Sequence, residues 1–139
     1  MRAEGTDPMS PSKIMTATIC NDTGSNVLSI FPSDLPRLGI DATRMLVTNV
    51  QTAGGQVQGA NVFVQIQLLT PDATNATGYR PISDWIRETV FVQFTGHENA
   101  ARLSGAGMRN VLYFATPPGN QTLAVAEKKH GLMSLLPTL

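Results

Sequence analysis

The sequence feature that most constrains the fold is an alternation of side-chain type within the segment from Gln56 to Leu69. Apolar residues fall on one face of this segment and polar ones, together with Phe63, on the other: Val62, Val64, Ile66 and Leu68 against Asn61, Gln65 and Gln67. A period of two over this length predicts a long β-strand with one buried face. The segment Arg44–Thr52 is also strand-like, and Gly54-Gly55 separates the two. We therefore expect a hairpin with a flexible, uncharged tip over Thr52–Gln56.

Short strand-like runs separated by Pro, Gly and Asn fill most of the remaining chain. Beyond the hairpin, the runs predicted as strands are Ile14–Cys20, Val27–Phe31, Glu88–Phe94, Val111–Ala115 and Leu123–Ala126. Ser33–Leu38 is the one short helical piece, Pro71–Pro81 reads as a polar loop, and the tail Leu132–Leu136 fits either a short helix or an interface strand. About seven short strands with little helix predict a small all-β barrel or sandwich.

Length and composition indicate one globular domain. The chain has 139 residues, of which 42% are hydrophobic and 14% charged, with a formal net charge of zero. We expect residues 14–139 to form that domain and the polar residues 1–13, which contain Pro8 and Pro11, to be a disordered lead-in. Without a basic stripe, a nucleic-acid partner has no electrostatic support. The single cysteine, Cys20, excludes an internal disulfide.

No apolar run approaches the roughly 20 residues that cross a bilayer, so no membrane partner is expected. The first residues lack the apolar core of a signal peptide, and a cytoplasmic location is the expectation.

The candidate catalytic residue is Asp22, which lies between the first two predicted strands. It belongs to the stretch Cys20-Asn21-Asp22-Thr23-Gly24-Ser25-Asn26. A carboxylate bonded there by the Gly24 N–H and the Ser25 hydroxyl is a plausible acid–base centre. Asp-Thr-Gly is equally good turn chemistry, because Asp bonds its own backbone and Gly accepts positive φ. The residues of this stretch alone leave both interpretations open.

A second glycine-containing segment runs from Arg102 to Arg109. Gly105 and Gly107 permit close backbone packing or a tight turn. The segment lacks the remaining glycine and the Lys-Ser/Thr pair of nucleotide-binding loops, so a nucleotide site is not expected.

The order of these parts resembles the retropepsin family of retroviral-type aspartic proteases. A strand enters Asp-Thr-Gly-Ser, a strand and a turn ending in Leu-Gly-Ile follow, and a Gly-tipped hairpin, a strand pair and Leu-Ser-Gly come next. The chain looks most like retropepsin-like proteins of fungal genomes, which carry blocks similar to Thr23–Asn26, Arg102–Gly105 and Leu112–Thr116. The resemblance covers about residues 14 to 136. It implies an all-β fold of the small closed-barrel, acid-protease type, with one short helix.

The resemblance also implies a mechanism and a set of site residues. Retropepsins are homodimers with one catalytic Asp per subunit, so Asp22 would face its copy, share a proton with it and activate a water against a peptide bond. Thr23 and Gly24 would complete the catalytic loop, with Thr23 bracing the partner's loop. Ser25 would bond an outer carboxylate oxygen. A polypeptide substrate is implied, and neither a metal nor a cofactor is required.

Two further elements carry over from the family to this sequence. Ala53, Gly54 and Gly55 would form the flap that closes over the bound peptide. Leu103, Ser104 and Gly105 match the family's second apolar–Gly element, whose place is beneath the catalytic loop. The residue before Asp22 is Asn21, where the family has an apolar residue.

Two other functions stay open from the sequence. One is a catalytically inactive domain of the same fold that binds peptides or mediates dimerisation, and it does not need an ionisable Asp22. The other is an unrelated all-β domain in which Asp22-Thr23-Gly24 is only a turn.

Overall fold

The computed structural model describes residues 1–4, 13–52, 55–96 and 100–136. The chain forms two compact units. The first comprises Met1–Ile66 and Arg87–Gly107, and the second comprises Gln67–Ile86 and Met108–Leu139. Compactness does not measure independent folding, so a single domain over 14–139 stays a prediction.

The first unit is built on a five-stranded sheet around one long strand. Its strands are β1 (Arg2–Ala3), β2 (Leu28–Ile30), β3 (Thr48–Thr52), β4 (Gly55–Ile66) and β7 (Ile86–Gln93). The strand β4 pairs with β1 and β3, both antiparallel, and neighbours β7. The strand β2 lies beyond β7 and runs parallel to it, with Ser29 opposite Phe91. Of these two strands, β2 is the one that follows the Asp22 loop in the chain.

The hairpin predicted from the glycine pair is confirmed. Residues of β3 and β4 pair in register from Thr48 opposite Gly59 to Thr52 opposite Gly55. Val64 and Ile66 are buried, whereas Asn61 and Phe63 are exposed, as the alternation of side chains predicts. Ala53 and Gly54, which belong to the predicted flap, lie outside the described residues.

The core of the first unit draws its buried side chains from the sheet, from the short helix α1 (Leu35–Leu38) and from Met15. Its fully buried apolar side chains are Met15, Leu28, Ile30, Leu35, Leu38, Ala60, Val64, Val90 and Val92. Two glycines are required in this part of the structure, one for space and one for its backbone conformation. A Cβ at Gly59 would collide with the Phe91 ring and the Val92 carbonyl oxygen. Gly39 ends α1 at φ 67°, the left-handed cap that glycine adopts without strain.

The second unit consists of two hairpins and a helix. The hairpins are β5 (Leu69–Pro71) with β6 (Tyr79–Pro81), and β8 (Tyr113–Ala115) with β9 (Ala124–Ala126). The helix α3 (Lys129–Leu135) contacts both β8 and β9. The remaining helix is α2 (Ala106–Val111). Its residues up to Gly107 belong to the first unit, and those from Met108 belong to the second. No helix in the described ranges is long and apolar enough to cross a membrane.

The mostly-β class agrees with the sequence, but several finer expectations do not. The described strands form three separate sheets and no closed barrel. Three short α-helices are present in the described ranges, where one was expected. The segment 14–20 forms only two isolated bridges, Ile14 to Arg2 and Cys20 to Leu103, instead of a regular strand. The predicted loop over 71–81 has its two ends paired as β5 and β6.

The expectation of a disordered lead-in is wrong for the first residues. Met1 is buried, and its backbone bonds Met15 in both directions, at 2.8 Å each. Arg2 and Ala3 pair with β4 as strand β1. A polar sequence therefore joins the sheet through main-chain bonds, which any residue except Pro can make fully. Residues 5–12 lie outside the described ranges.

Candidate active site

The Asp22 loop is a tight turn closed by its own carboxylate. The Gly24 N–H donates to Asp22 Oδ1 at 2.8 Å, and the Ser25 N–H is 3.4 Å from the Asp22 carbonyl oxygen. A short acidic side chain that bonds the backbone two residues on is the expected behaviour of Asp in a turn. A Cβ at Gly24 would lie 3.3 Å from Asp22 Oδ1, so glycine lets the carboxylate approach this closely. Asp22 is half-buried and Thr23 is exposed.

The segment Arg102–Gly105 lies beside this loop and is bonded to it through the main chain. The Cys20 N–H donates to the Arg102 carbonyl at 2.7 Å, and the Ser104 N–H donates to the Cys20 carbonyl at 2.9 Å. These two bonds form a parallel bridge between Cys20 and Leu103. The structure thus brings together Asp22, Gly24, Leu103 and Gly105, which the sequence singled out.

On its other side, the same segment is bonded to β2. The Ser29 N–H donates to the Leu103 carbonyl at 3.1 Å, and the Leu103 N–H donates to the Ser29 hydroxyl at 2.8 Å. Leu103 therefore lies between the chain that enters the Asp22 loop and the chain that leaves it. The segment consequently fixes both ends of the loop.

Ser104 makes the most direct contact between this segment and the Asp22 backbone. The Asp22 N–H donates to Ser104 Oγ at 3.0 Å, and the same hydroxyl is 3.3 Å from the Asp22 carbonyl oxygen. Ser104 is only 1% exposed. Sequence reasoning included Ser104 in the element expected beneath the catalytic loop but gave its hydroxyl no role. The sequence feature that pointed to such a role was a serine between the apolar Leu103 and Gly105.

Gly105 and Gly107 meet a buried carboxylate, that of Glu88 on β7. Glu88 is 5% exposed and accepts a hydrogen bond from the Gly107 N–H at 3.1 Å. A Cβ at Gly105 would lie 2.5 Å from the Leu28 nitrogen and 2.9 Å from the Glu88 carboxyl carbon. The sequence signal for Glu88 was its position in the strand, because residues two apart lie on the same face and Glu88 shares that of Val90 and Val92.

A partly buried ion pair anchors the start of the bonded segment. Arg102 donates to both carboxylate oxygens of Asp34, at 2.9 and 2.8 Å, and lies over the Phe31 ring at 5.0 Å. Burial acts to raise the pKa of Asp34 and is the largest single influence. The bonds from Arg102 and from the Phe31 N–H nevertheless hold that pKa below its ordinary value of 3.8. The hydrogen bonds to Asp34 raise the pKa of Arg102.

The remaining predicted residues have less specific surroundings. The Ser25 hydroxyl donates to the Val27 carbonyl at 2.7 Å, and its predicted bond to an outer carboxylate oxygen stays a prediction. Gly55 begins β4 at φ 115°, a conformation that side chains rarely adopt. The role of Gly55 in a flap and the bracing role of Thr23 are likewise untested.

This arrangement offers one acidic group on a rigid support. The carboxylate accepts a backbone N–H and stands on a loop whose two ends are bonded to one buried segment. A single carboxylate in such a place can hold a proton or orient a water. Within the described ranges, no three His, Cys, Asp or Glu side chains are grouped to hold a metal ion.

Comparison of the chain with protein-family models, with curated proteins and with solved structures finds no match.

Proposed function

We propose that the chain is an aspartic endopeptidase-like domain that hydrolyses peptide bonds as a homodimer. One observation carries the proposal, namely the Asp22 carboxylate fixed by the Gly24 N–H in a loop that Ser104 and Leu103 bond from beneath. A simple turn needs only the bond from the Gly24 N–H to the Asp22 carboxylate. The anchoring segment is what a precisely oriented acid–base group would additionally require.

In the proposed mechanism, the Asp22 carboxylates of two subunits face each other. Two carboxylates a few ångström apart do not both ionise at once, so the pair shares one proton. The ionised member takes a proton from a water as that water attacks the peptide carbonyl carbon. The protonated member donates to the carbonyl oxygen and stabilises the tetrahedral intermediate. The Asp22 that took a proton from the water then transfers it to the leaving nitrogen, and the C–N bond breaks.

The proposed substrate is an extended polypeptide covered by the β3–β4 hairpin. The two strands pair in full register up to Gly55, which gives the hairpin a regular base. We assign its tip, Ala53 to Gly55, the role of the flap that excludes water from the reaction. Thr23 braces the dimer from its exposed position on the loop.

A non-catalytic module of the same fold is the second candidate. The bonds that Ser104 and Ser25 make to Asp22 involve the Asp22 backbone, and they persist whether or not its carboxyl is ionised. Such a module would bind peptides or dimerise without cutting them. The two functions share one structure and differ only in the chemistry of one side chain.

Cleavage of a peptide library between pH 4 and pH 7 tests the proposal. The wild-type chain is compared with Asp22→Asn over a range of protein concentrations. We expect cleavage that disappears in Asp22→Asn, rises more steeply than protein concentration and is blocked by an inhibitor with a hydroxyl in place of the scissile carbonyl. Asn is nearly isosteric with Asp, so the variant removes the ionisable group and keeps the turn.

The control is Asp84→Asn, which makes the same substitution at an exposed carboxylate of the second unit. This variant should cleave like the wild type. Peptide binding without cleavage in the wild type would favour the non-catalytic module. Cleavage that survives in Asp22→Asn would refute the proposed mechanism.

A further inference from the structure

The buried hydroxyl of Ser104 bonds both polar groups of the Asp22 backbone. Its oxygen lies 3.0 Å from the Asp22 nitrogen, which donates to it, and 3.3 Å from the Asp22 carbonyl oxygen. A hydroxyl has one donor and two acceptor sites, so it can accept from the Asp22 N–H and donate to the Asp22 carbonyl. The Asn21 Oδ1, at 3.5 Å, is a second acceptor for the same proton. Because the N–H and the C=O flank the Asp22 Cα, the two contacts together set the direction in which the side chain leaves the backbone.

Ser104 is itself immobilised. Its N–H donates to the Cys20 carbonyl at 2.9 Å, and its side chain is 1% exposed. Arg102, two residues earlier, is fixed by two bonds to Asp34. Leu103, the residue before it, is bonded to Ser29 of β2 through its N–H and its carbonyl. The hydroxyl therefore stands on backbone that is also held from outside the Asp22 loop.

The Ser104 bond complements the bond from Gly24. The Gly24 N–H fixes one oxygen of the carboxylate, at 2.8 Å from Oδ1. That bond alone lies within the loop and moves with it. The Ser104 bond connects the loop to a residue 82 positions away in the sequence. It therefore fixes the position of Asp22 relative to the Arg102–Gly105 segment.

We propose that Ser104 is a positioning residue for Asp22: its hydroxyl holds the Asp22 backbone so that the carboxylate is presented in one orientation. In its effect on catalysis, this inference rests on the proposed function. In its effect on the backbone of Asp22, it stands independently of any activity. The two parts have separate measurements.

The first measurement is amide hydrogen exchange at Asp22, followed by NMR in the wild type and in Ser104→Ala. Removal of the hydroxyl deprives the Asp22 N–H of its acceptor in a half-buried loop. We expect Asp22 exchange to be at least about tenfold faster in Ser104→Ala. In the wild type, the Asp22 amide should exchange at least about tenfold more slowly than in an unstructured peptide, which supplies a result even if the variant does not fold.

The matched control is Ser83→Ala. Ser83 is also buried, and its hydroxyl has the same pattern of bonds, accepting from the Leu68 N–H at 3.0 Å and donating to the Asp84 carbonyl at 2.9 Å. This variant should speed exchange at Leu68 and leave Asp22 exchange unchanged. It therefore separates the loss of a buried hydroxyl in general from the loss of this one.

The second measurement is the steady-state kinetics of peptide cleavage. A residue that aims the carboxylate acts on the reacting geometry, so kcat should fall at least about tenfold in Ser104→Ala while KM changes less than about twofold. Ser104→Thr keeps the hydroxyl and should recover most of the loss. Ser83→Ala should retain the wild-type kcat.

The outcomes distinguish the two parts of the inference. Unchanged Asp22 exchange in Ser104→Ala would overturn the positioning role, whatever the activity. Faster exchange with unchanged kcat would overturn its catalytic consequence. If the wild type cuts no peptide, the proposed function fails, and the exchange measurement still decides whether Ser104 positions Asp22.

Discussion

The absence of a side chain at Gly105 allows the bonded segment to lie against β2. A Cβ there would be 2.5 Å from the Leu28 nitrogen and 2.9 Å from the carboxyl carbon of Glu88. Neither neighbour can move easily, because one is backbone in a sheet and the other is a buried carboxylate bonded by Gly107. Gly105 is thus required by close approach and not by an unusual φ.

We expect Gly105→Ala to destabilise the chain by about 1–3 kcal/mol, the usual cost of forcing extra volume into a packed site. Urea unfolding measures the change. The matched control is Gly131→Ala in helix α3, where a Cβ would meet only the Ala126 Cβ, at 3.6 Å. There the same substitution should stabilise by about 0.5–1 kcal/mol, because Ala favours a helix over Gly. Equal effects at the two positions would contradict the packing described for Gly105.

The Asp34–Arg102 pair joins two elements that are far apart in sequence. It connects the turn before α1 to the segment that supports the Asp22 loop, with side chains 2% and 24% exposed. Removal of one member of a buried pair leaves the other charge without its partner in a poorly solvated place. The pair therefore stabilises the arrangement of these elements more than an exposed ion pair would.

We expect Arg102→Met to cost about 2 kcal/mol in urea unfolding at neutral pH, below the range for fully buried pairs because Arg102 is partly exposed. Arg80→Met is the control, since Arg80 pairs with Asp72 at 3.7 Å on the surface, where its own side chain is 59% exposed. That variant should unfold like the wild type. A comparable loss in both variants would contradict the special role of the Asp34–Arg102 pair.

The same pair predicts a dependence of stability on pH. The pKa of Asp34 is lower in the folded chain than its ordinary value of 3.8, so folding favours the ionised form. The resulting stabilisation is fully present above that ordinary value and is lost as the pH falls through the folded pKa. Urea unfolding measured from about pH 5 to about pH 2 should show this loss, and the loss should be smaller in Arg102→Met. An unchanged slope in the variant would refute this assignment.

Elements with a strong local pattern were predictable from the sequence, whereas those that depend on distant partners were not. The β3–β4 hairpin follows from alternation and a glycine pair. The segment 14–20 has the composition of a strand, yet its only bridges are at Ile14 and Cys20, because long-range partners decide pairing. The helix α2 has Gly107 at its second position, a residue that helix propensity disfavours, and the Gly107 N–H bonds the distant Glu88.

The candidate site was predictable where its chemistry is local and not where it depends on residues distant in the sequence. Asp22 and Gly24 were found because their turn chemistry is local, and the structure shows the bond between them. Ser104 and Glu88 were missed because a buried hydroxyl or carboxylate is recognisable only from what surrounds it. The roles proposed for Thr23 and the flap depend on a second subunit or a bound peptide, which lie beyond one chain's sequence.

At the scale of the whole molecule, each chain contributes one Asp22, and the proposed chemistry needs two. The central claim is therefore that catalysis belongs to a pair of identical subunits. In a symmetric dimer, a residue that lies at the two-fold axis meets its own copy, which is the geometry that a shared proton requires. This claim makes activity a property of subunit composition, and composition can be varied by mixing.

The most direct measurement is cleavage by mixtures of wild-type and Asp22→Asn chains, re-equilibrated at constant total concentration. If each site needs both carboxylates, only dimers of two wild-type chains are active. An equal mixture should then show about a quarter of the wild-type activity, the share of such dimers under random pairing. Activity of about a half would mean that each Asp22 acts alone, and it would contradict the paired-carboxylate mechanism.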